Sequence, residues 1–433
     1  MIHSISFRNF KSYREATLPL APLSLLIGAN ASGKSNAIEG VRFLSWLAEG
    51  KRLDDLMSAV QSEDQRLRGT IGDLSYEGTG TFGFRCTTDI RYGDELAIEL
   101  RVSDDGMNIV AESVRNPNST VPLYNVVEPG HAYSHELQVQ YDNFARGGIK
   151  PRIPCSDQQA VFTQLETPAR FAGRHDKAQR VIPAVVGQYR KLLEEILFLD
   201  PNPRAMREYS FIVDRSLKGD GSNISSVLYE LCVKTGQKGE VLTFIRSLPE
   251  QDITDIDFIE TPRSEVMVTL TESFGGRNHI WDVPVLSDGT LRVLAIAAAL
   301  LSAPKDSLVI IEEIDNGVHP SRADMLLANI QRVAESRGVR VLVTTHNPAL
   351  LDALPTQAIP DVVCCFRDPK EGDSRLIRLG DLQTYPALVA QGALGQLMTK
   401  GVIDRYLKDR TDPDEKKAYA LEWMDSLRGG GSA

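Results

Sequence analysis

The chain has 433 residues, a formal net charge of −10, 42% hydrophobic residues and five cysteines. This length allows two or three domains around a substantial core, and the acidic balance removes any global electrostatic case for nucleic-acid binding. No stretch reaches the ~18 apolar residues of a membrane span and the N-terminus has no charged-then-apolar leader, so a cytoplasmic protein without a membrane partner is expected. In chain order, Met1 to Phe10 sets Ile2, Ile5 and Phe7 among polar residues and predicts a half-buried strand. The apolar run Leu23-Ser24-Leu25-Leu26-Ile27 then enters a glycine-rich turn, Gly28-Ala29-Asn30-Ala31-Ser32-Gly33-Lys34-Ser35, and an amphipathic helix over about 33–49 follows.

Strand, turn and helix in that order are the context in which G-x-x-x-x-G-K-[ST] is a phosphate-binding loop. Gly28 and Gly33 permit backbone conformations that a side chain forbids, so successive N–H groups can face a β-phosphate at a helix N-terminus that already favours anions. Lys34 adds a cation between the β- and γ-phosphates, and the Ser35 hydroxyl can ligate Mg²⁺.

Residues 70–113 change period. Gly78 to Thr87 and Leu96 to Val102 alternate between Gly- and Asp-containing turns, which predicts antiparallel sheet. A cationic group follows: Arg146, Lys150, Arg152, Arg170, Arg174, His175, Lys177 and Arg180 form either a DNA-facing patch or a solvated surface of mixed charge. Residues 176–245 read as mostly helical, with Val181 to Leu197 recurring at three- and four-residue steps and Asp200-Pro201-Asn202-Pro203 as the stop. Cys86, Cys155, Cys232, Cys364 and Cys365 have no metal-ligand spacing and read as small buried side chains.

A second block carries chemistry. Ser307 to Ile311 is an apolar run ending in Glu312-Glu313, as expected of a strand buried on both faces whose tip meets a ligand crevice. Glu312 suits the Mg²⁺ side of a triphosphate, and Glu313 suits polarisation of the attacking water. Leu286-Ser287-Asp288-Gly289-Thr290 opens another helix. Ser287 is there an N-cap, and the same helix start can present it to the γ-phosphate held by another subunit. Arg340 to Thr345 is a further buried strand with His346 at its tip, where a γ-phosphate sensor would sit.

In this order the motifs resemble the ATPase head of the ABC superfamily. Ile5-Ser6-Phe7-Arg8-Asn9-Phe10-Lys11-Ser12-Tyr13 places the resemblance in the SMC/RecF/OLD-like branch. Glu312-Glu313-Ile314-Asp315-Asn316-Gly317-Val318-His319-Pro320 resembles the E-E-P-E-x-x-L-H-P block of the OLD-like group labelled AAA_15 or AAA_21. The resemblance implies an α/β fold: an ABC-type P-loop ATPase head with an antiparallel β subdomain and a helical insertion. It also implies ATP and Mg²⁺ as cofactors, with Gly28, Asn30, Gly33, Lys34, Ser35, Asn36, Ser287 and Gly289 on the nucleotide. Ser35 and Glu312 would be on the metal, with Glu313 and His346 catalytic and a D-loop-like segment at Asp315 to His319. Glu312 stands in place of the usual Mg²⁺-side aspartate and Ile314 in place of the proline after the acidic pair, and neither removes a required functional group. Gln158 or Gln159 is the candidate for the Q-loop glutamine.

The expected organisation is an N-terminal lobe over 1–170, a mainly helical insertion over 171–265 and a C-terminal lobe over 266–405. A helical tail over 406–428 and an appended linker over 429–433 complete it. The family further implies an ATP-dependent homodimer, or a higher oligomer, in which each ATP lies between one subunit's phosphate loop and the other's serine. The residues after His346 are too few for the nuclease domain that OLD-like proteins often carry, so an effector protein from a neighbouring gene, in an anti-phage system, is the leading expectation. A RecF-like ATPase that binds DNA directly and a slow-hydrolysing nucleotide-dependent scaffold are the alternatives.

Overall fold

The computed structural model describes residues 1–56, 67–103, 106–130, 134–246, 253–316 and 320–408. The charged helix expected near 413–427, the linker at 429–433 and Gly317 to His319 lie outside these residues. The described residues form three sheets.

The central sheet has the order β10-β15-β16-β3-β17-β18. Its strands are β3 (Leu23–Ile27), β10 (Leu197–Leu199), β15 (Leu308–Ile311), β16 (Arg340–Thr344), β17 (Val363–Arg367) and β18 (Ser374–Arg378). The first five are parallel, and β18 returns antiparallel to β17. Alternation along these strands divides the apolar residues between two cores. Leu25, Ile27, Val309, Ile311, Val341, Val343 and Cys364 face one, whereas Leu26, Leu308, Ile310, Leu342 and Cys365 face the other. A strand covered on both faces needs a continuous apolar run, which explains the sequence of β3 and β15.

On the second face lies α1 (Lys34–Ala48), and beyond it the antiparallel sheet β2-β1-β4-β5-β6-β7-β8-β9. That sheet comprises β1 (Ile2–Phe10), β2 (Tyr13–Pro19), β4 (Thr81–Thr88), β5 (Glu95–Ser103), β6 (Gly106–Arg115), β7 (Tyr124–Glu128), β8 (Glu136–Tyr141) and β9 (Arg152–Ser156). Helix α1 is held against it by aromatic contacts, with the Phe43 ring 5.5 Å from Phe84 and 5.7 Å from Phe82. The short α2 (Val161–Gln164) begins on the buried carboxylate of Glu112, which accepts from Val161 N–H, Phe162 N–H and the Tyr124 hydroxyl.

The other face of the central sheet is covered by α5 (Ile224–Tyr229), α6 (Lys238–Ile245), α7 (Asp288–Ser302) and α8 (Pro320–Arg337). A small sheet joins the same core, built of β11 (Ser210–Phe211), β12 (Ile253–Glu260), β13 (Glu265–Phe274) and β14 (Arg277–Asp282).

The stretch 171–265 is more mixed than its periodicity predicts. Helix α3 (Asp176–Glu194) packs into the core of the antiparallel sheet through Ile182, Val186, Tyr189 and Leu193. It stops at Glu194, and Leu197 starts β10, which pairs with β15 as an edge strand of the central sheet. The apolar run fits either period, and the open edge of β15 decides it.

Candidate active site

The tips of β3, β15 and β16 meet at one crevice. Strand β16 lies between the other two, so the residue following it is flanked by the phosphate loop and the carboxylate pair.

Residues 28–33 leave β3 and turn into α1, whose N-cap Gly33 supplies no side-chain cap. The first-turn N–H groups are therefore open to an anion. Gly28 has φ 153° and Gly33 φ 120°, and a Cβ on Gly28 would overlap the Cys365 backbone carbonyl. Outward-facing carbonyls of the loop are gripped from behind. Arg367 Nε donates to Ala31 O at 3.3 Å, Ser374 Oγ to Ser32 O at 2.6 Å, Cys365 Sγ to Ser32 O at 3.3 Å and the Tyr13 hydroxyl to Gly33 O at 2.9 Å. Ser12 Oγ accepts from Asn36 Nδ2 at 2.8 Å and lies 2.8 Å from Ser374 Oγ. Tyr13 and Ser12 thus give the N-terminal motif a physical role, which is to fix the phosphate loop from below.

Lys34 folds its ammonium back onto Gly28 O at 2.5 Å and Ala29 O at 3.1 Å. Burial holds its pKa below the usual lysine value, with Cys365 and Glu313 acting in the opposite direction. A cation over an uncapped helix start, glycine cradles with no room for a side chain and the exposed Ser35 hydroxyl form a donor set that fits a triphosphate with Mg²⁺. Asn30 is exposed at the turn of the loop.

At the tip of β15, Glu312 N–H donates to Leu199 O at 3.0 Å, and its carboxylate pairs with Arg42 of α1, whose guanidinium lies 4.5 Å over the Phe198 ring. Glu313 has φ 48°, a left-handed backbone that is costly outside glycine. Its N–H donates to Thr344 Oγ1 at 3.0 Å, and Asn316 Nδ2 donates to its carboxylate at 2.6 Å. His346 Nε2 is 3.9 Å from Glu313 Oε1, and both side chains are about half exposed to the crevice. Thr345 Oγ1 donates to Asp315 Oδ1 at 2.8 Å, which ties the two strand tips together again. Asp200, exposed at the tip of β10 next to Glu312, brings one more carboxylate to this edge.

Ser287 caps α7, its Oγ accepting from Thr290 N–H at 3.1 Å, and it is exposed, with Gly289 in the first turn behind it. No hydrogen bond or ion pair among the described residues joins Ser287 to residues 28–36 of the same chain.

Gln158 and Gln159 do not reach the crevice. Gln159 Nε2 donates to Gly50 O at 2.8 Å, beyond the far end of α1, and 15 helical residues put that point ~22 Å from the phosphate loop. The buried Gln158 amide is used on Met107 O and Asp157. The cationic group is also largely occupied. Lys150 pairs with Asp142, Arg152 with Glu128, Arg170 donates to Pro154 O, and Lys177 lies 4.3 Å over the Phe144 ring. All five cysteines are free and buried. Among the described residues there is no cluster of three or more His, Cys, Asp or Glu that could hold a metal alone, and no helix is long and apolar enough to cross a membrane.

Ser374, Cys365, Arg367, Arg42 and Asp200 escaped the sequence reading. Each is an ordinary residue type, and Asp200, at the end of an apolar run, carries the same local signal as a helix stop.

A glycine loop, paired carboxylates and a histidine on neighbouring parallel strand tips are the arrangement expected of a P-loop ATPase domain. The chain belongs to the family described as "AAA domain, putative AbiEii toxin, Type IV TA system", whose model matches residues 117–352, more than half its length. Residues 1–70 match the model described as "AAA ATPase domain". Such P-loop ATPases bind ATP and Mg²⁺ in general. Among solved structures, the SmcHead bound to the C-winged helix domain of ScpA is 14% identical with a TM-score of 0.49, over 87% of this chain and 97% of that one. The SMC head domain from Thermotoga maritima is 12% identical with a TM-score of 0.42, over 87% and 98%. The Smc head domain with an extended coiled coil bound to the C-terminal domain of ScpA, derived from Pyrococcus furiosus, is 13% identical with a TM-score of 0.45, over 90% and 99%. No curated protein matches the chain.

Proposed function

We propose that the chain is an Mg²⁺-dependent ATPase, two copies of which join around ATP and thereby control an effector protein encoded nearby, a nuclease or toxin, in prokaryotic anti-phage defence. The observation that carries this reading is the meeting of Glu313 and His346 at adjacent strand tips near Lys34 at the start of α1, with Glu313 in a strained backbone held by Thr344 and Asn316. The loop N–H groups and Lys34 would hold the phosphates, and Ser35 with Glu312 would hold the metal, which when bound draws charge from the phosphate oxygens. Glu313 takes the proton of the attacking water, and His346 donates to the oxygen on which charge grows.

Exposure of Ser287, with no phosphate-loop partner in its own chain among the described residues, supports completion of the site by a second copy. A family description that names a toxin and a TA system supports a place in a system of more than one component. Pairing of Lys150 with Asp142 and of Arg152 with Glu128 weighs against direct DNA clamping. The test is Glu313→Gln. It is expected to keep ATP affinity, lose turnover by about 100-fold or more, and accumulate as a dimer with ATP in native mass measurements. Turnover at the wild-type rate would contradict the assignment.

A further inference from the structure

We propose that Arg207 is the positioning residue that sets Ser287 for the phosphate site of a second copy; the proposal rests on the ATP-joined dimer just described. Arg207 follows α4 (Pro203–Met206). Its guanidinium crosses to a distant part of the chain and grips the backbone before the serine and the side chain of the residue after it. Nη2 donates to Leu286 O at 2.9 Å and to Asp288 Oδ1 at 2.8 Å, Nε donates to Pro284 O at 3.3 Å, and Nη1 donates to Pro203 O at 3.0 Å. The residue before Ser287 and the residue after it are therefore fixed by one planar fork, a geometry that lysine cannot reproduce.

Helix capping does not require this clamp. Ser287 Oγ already accepts from Thr290 N–H and lies 2.8 Å from Thr290 Oγ1, which satisfies the start of α7 without Arg207. The Arg207–Asp288 pair is also open to solvent, with the Asp288 side chain 64% exposed, so it adds little to folding. What the fork does fix is the direction in which an exposed serine is presented.

The other end of the same segment reaches the metal side of the crevice. Leu199 O accepts from Glu312 N–H, Asp200 N–H donates to Gly219 O, Asn202 N–H donates to Asp220 O, and Asn202 Oδ1 caps α4 by accepting from Arg204 N–H. Residues 199–207 thus form a pinned strap from the carboxylate strand of one site to the serine offered to the other.

The experiment measures dimer dissociation by native mass in the Glu313→Gln protein at saturating ATP and Mg²⁺. Arg207→Ala is expected to weaken the dimer by about tenfold or more, the scale of a lost charge-assisted hydrogen bond, while each separate chain still binds ATP. Arg207→Lys, which keeps the charge and reaches fewer acceptors, gives an intermediate loss and serves if the alanine variant does not fold. In the Ser287→Ala background the Arg207 substitution adds nothing, because its effect passes through that serine. A dimer as tight as the parent's, or a loss that adds in full to that of Ser287→Ala, overturns the proposal. If the Glu313→Gln parent itself stays monomeric, the dimer reading fails and takes the proposal with it.

Discussion

Replacing Gly33 by alanine separates two costs that the phosphate loop avoids. The first is backbone strain, since φ 120° is a region that L side chains rarely adopt, at about 1–3 kcal/mol. The second is steric. The new Cβ would stand 2.5 Å from Ser374 Oγ, 2.9 Å from Ser374 Cβ and 3.1 Å from Ser12 Oγ, so Ser374 must release Ser32 O, at about 1 kcal/mol for the lost hydrogen bond. Because the free loop can relax out of this geometry and ATP binding must restore it, the two terms, ~2–4 kcal/mol together, return as roughly 30-fold to several hundred-fold in ATP affinity at 1.36 kcal/mol per decade. Titration with a fluorescent ATP analogue measures it, and a thermal melt checks the fold. Ser374→Gly in the same chain clears the clash with Ser374 but also lacks the hydroxyl that holds Ser32 O, so affinity stays low. For Gly28→Ala no side-chain deletion helps, because its obstacle is the Cys365 backbone carbonyl. Native affinity in Gly33→Ala would refute the account of the loop.

Lys34→Ala removes the one ammonium folded over the loop and should weaken ATP binding by well over tenfold in calorimetry, with little change in melting temperature; unaltered affinity would count against the phosphate-loop assignment. Glu112 supplies a pH prediction. Desolvation raises its pKa from 4.5 to about 7 despite three donors, so between these values the folded state binds more protons than the unfolded chain. Its contribution is complete below 4.5 and declines as pH rises through about 7, with a slope of at most ~1.4 kcal/mol per pH unit. Urea unfolding from pH 5 to 8 should show this decline, and Glu112→Gln should flatten it; the same slope in both proteins would exclude Glu112 as the source.

The parts of the site that lie within a few residues of one another were legible in the sequence. The run from Leu23 through Ser35 into α1 needs fixed residue types at fixed steps, and the apolar strands ending at Glu312-Glu313 and at His346 announce themselves by being buried on both faces. What was not legible depends on contacts across the whole chain. Ser374 and Cys365 grip Ser32 from more than 300 residues away, and neither residue type marks itself as a loop support. Gln158 and Gln159 suit a metal contact by residue type alone, and a glutamine carries no local signal that separates a metal contact from a backbone contact. Strand β10 was hidden because Leu197 continues the helical period of α3, and the free edge of β15, not propensity, recruits it.

The central claim is that each phosphate site is completed by the serine of a second chain, and mixing tests it most directly. In the Glu313→Gln background, Lys34→Ala should remain monomeric with ATP and Mg²⁺, and Ser287→Ala should dimerise only well above the concentration at which the parent does. Mixed, they should form a dimer holding a single nucleotide, because one intact loop then faces one intact serine. A mixture that stays monomeric while the Glu313→Gln parent dimerises would contradict the claim.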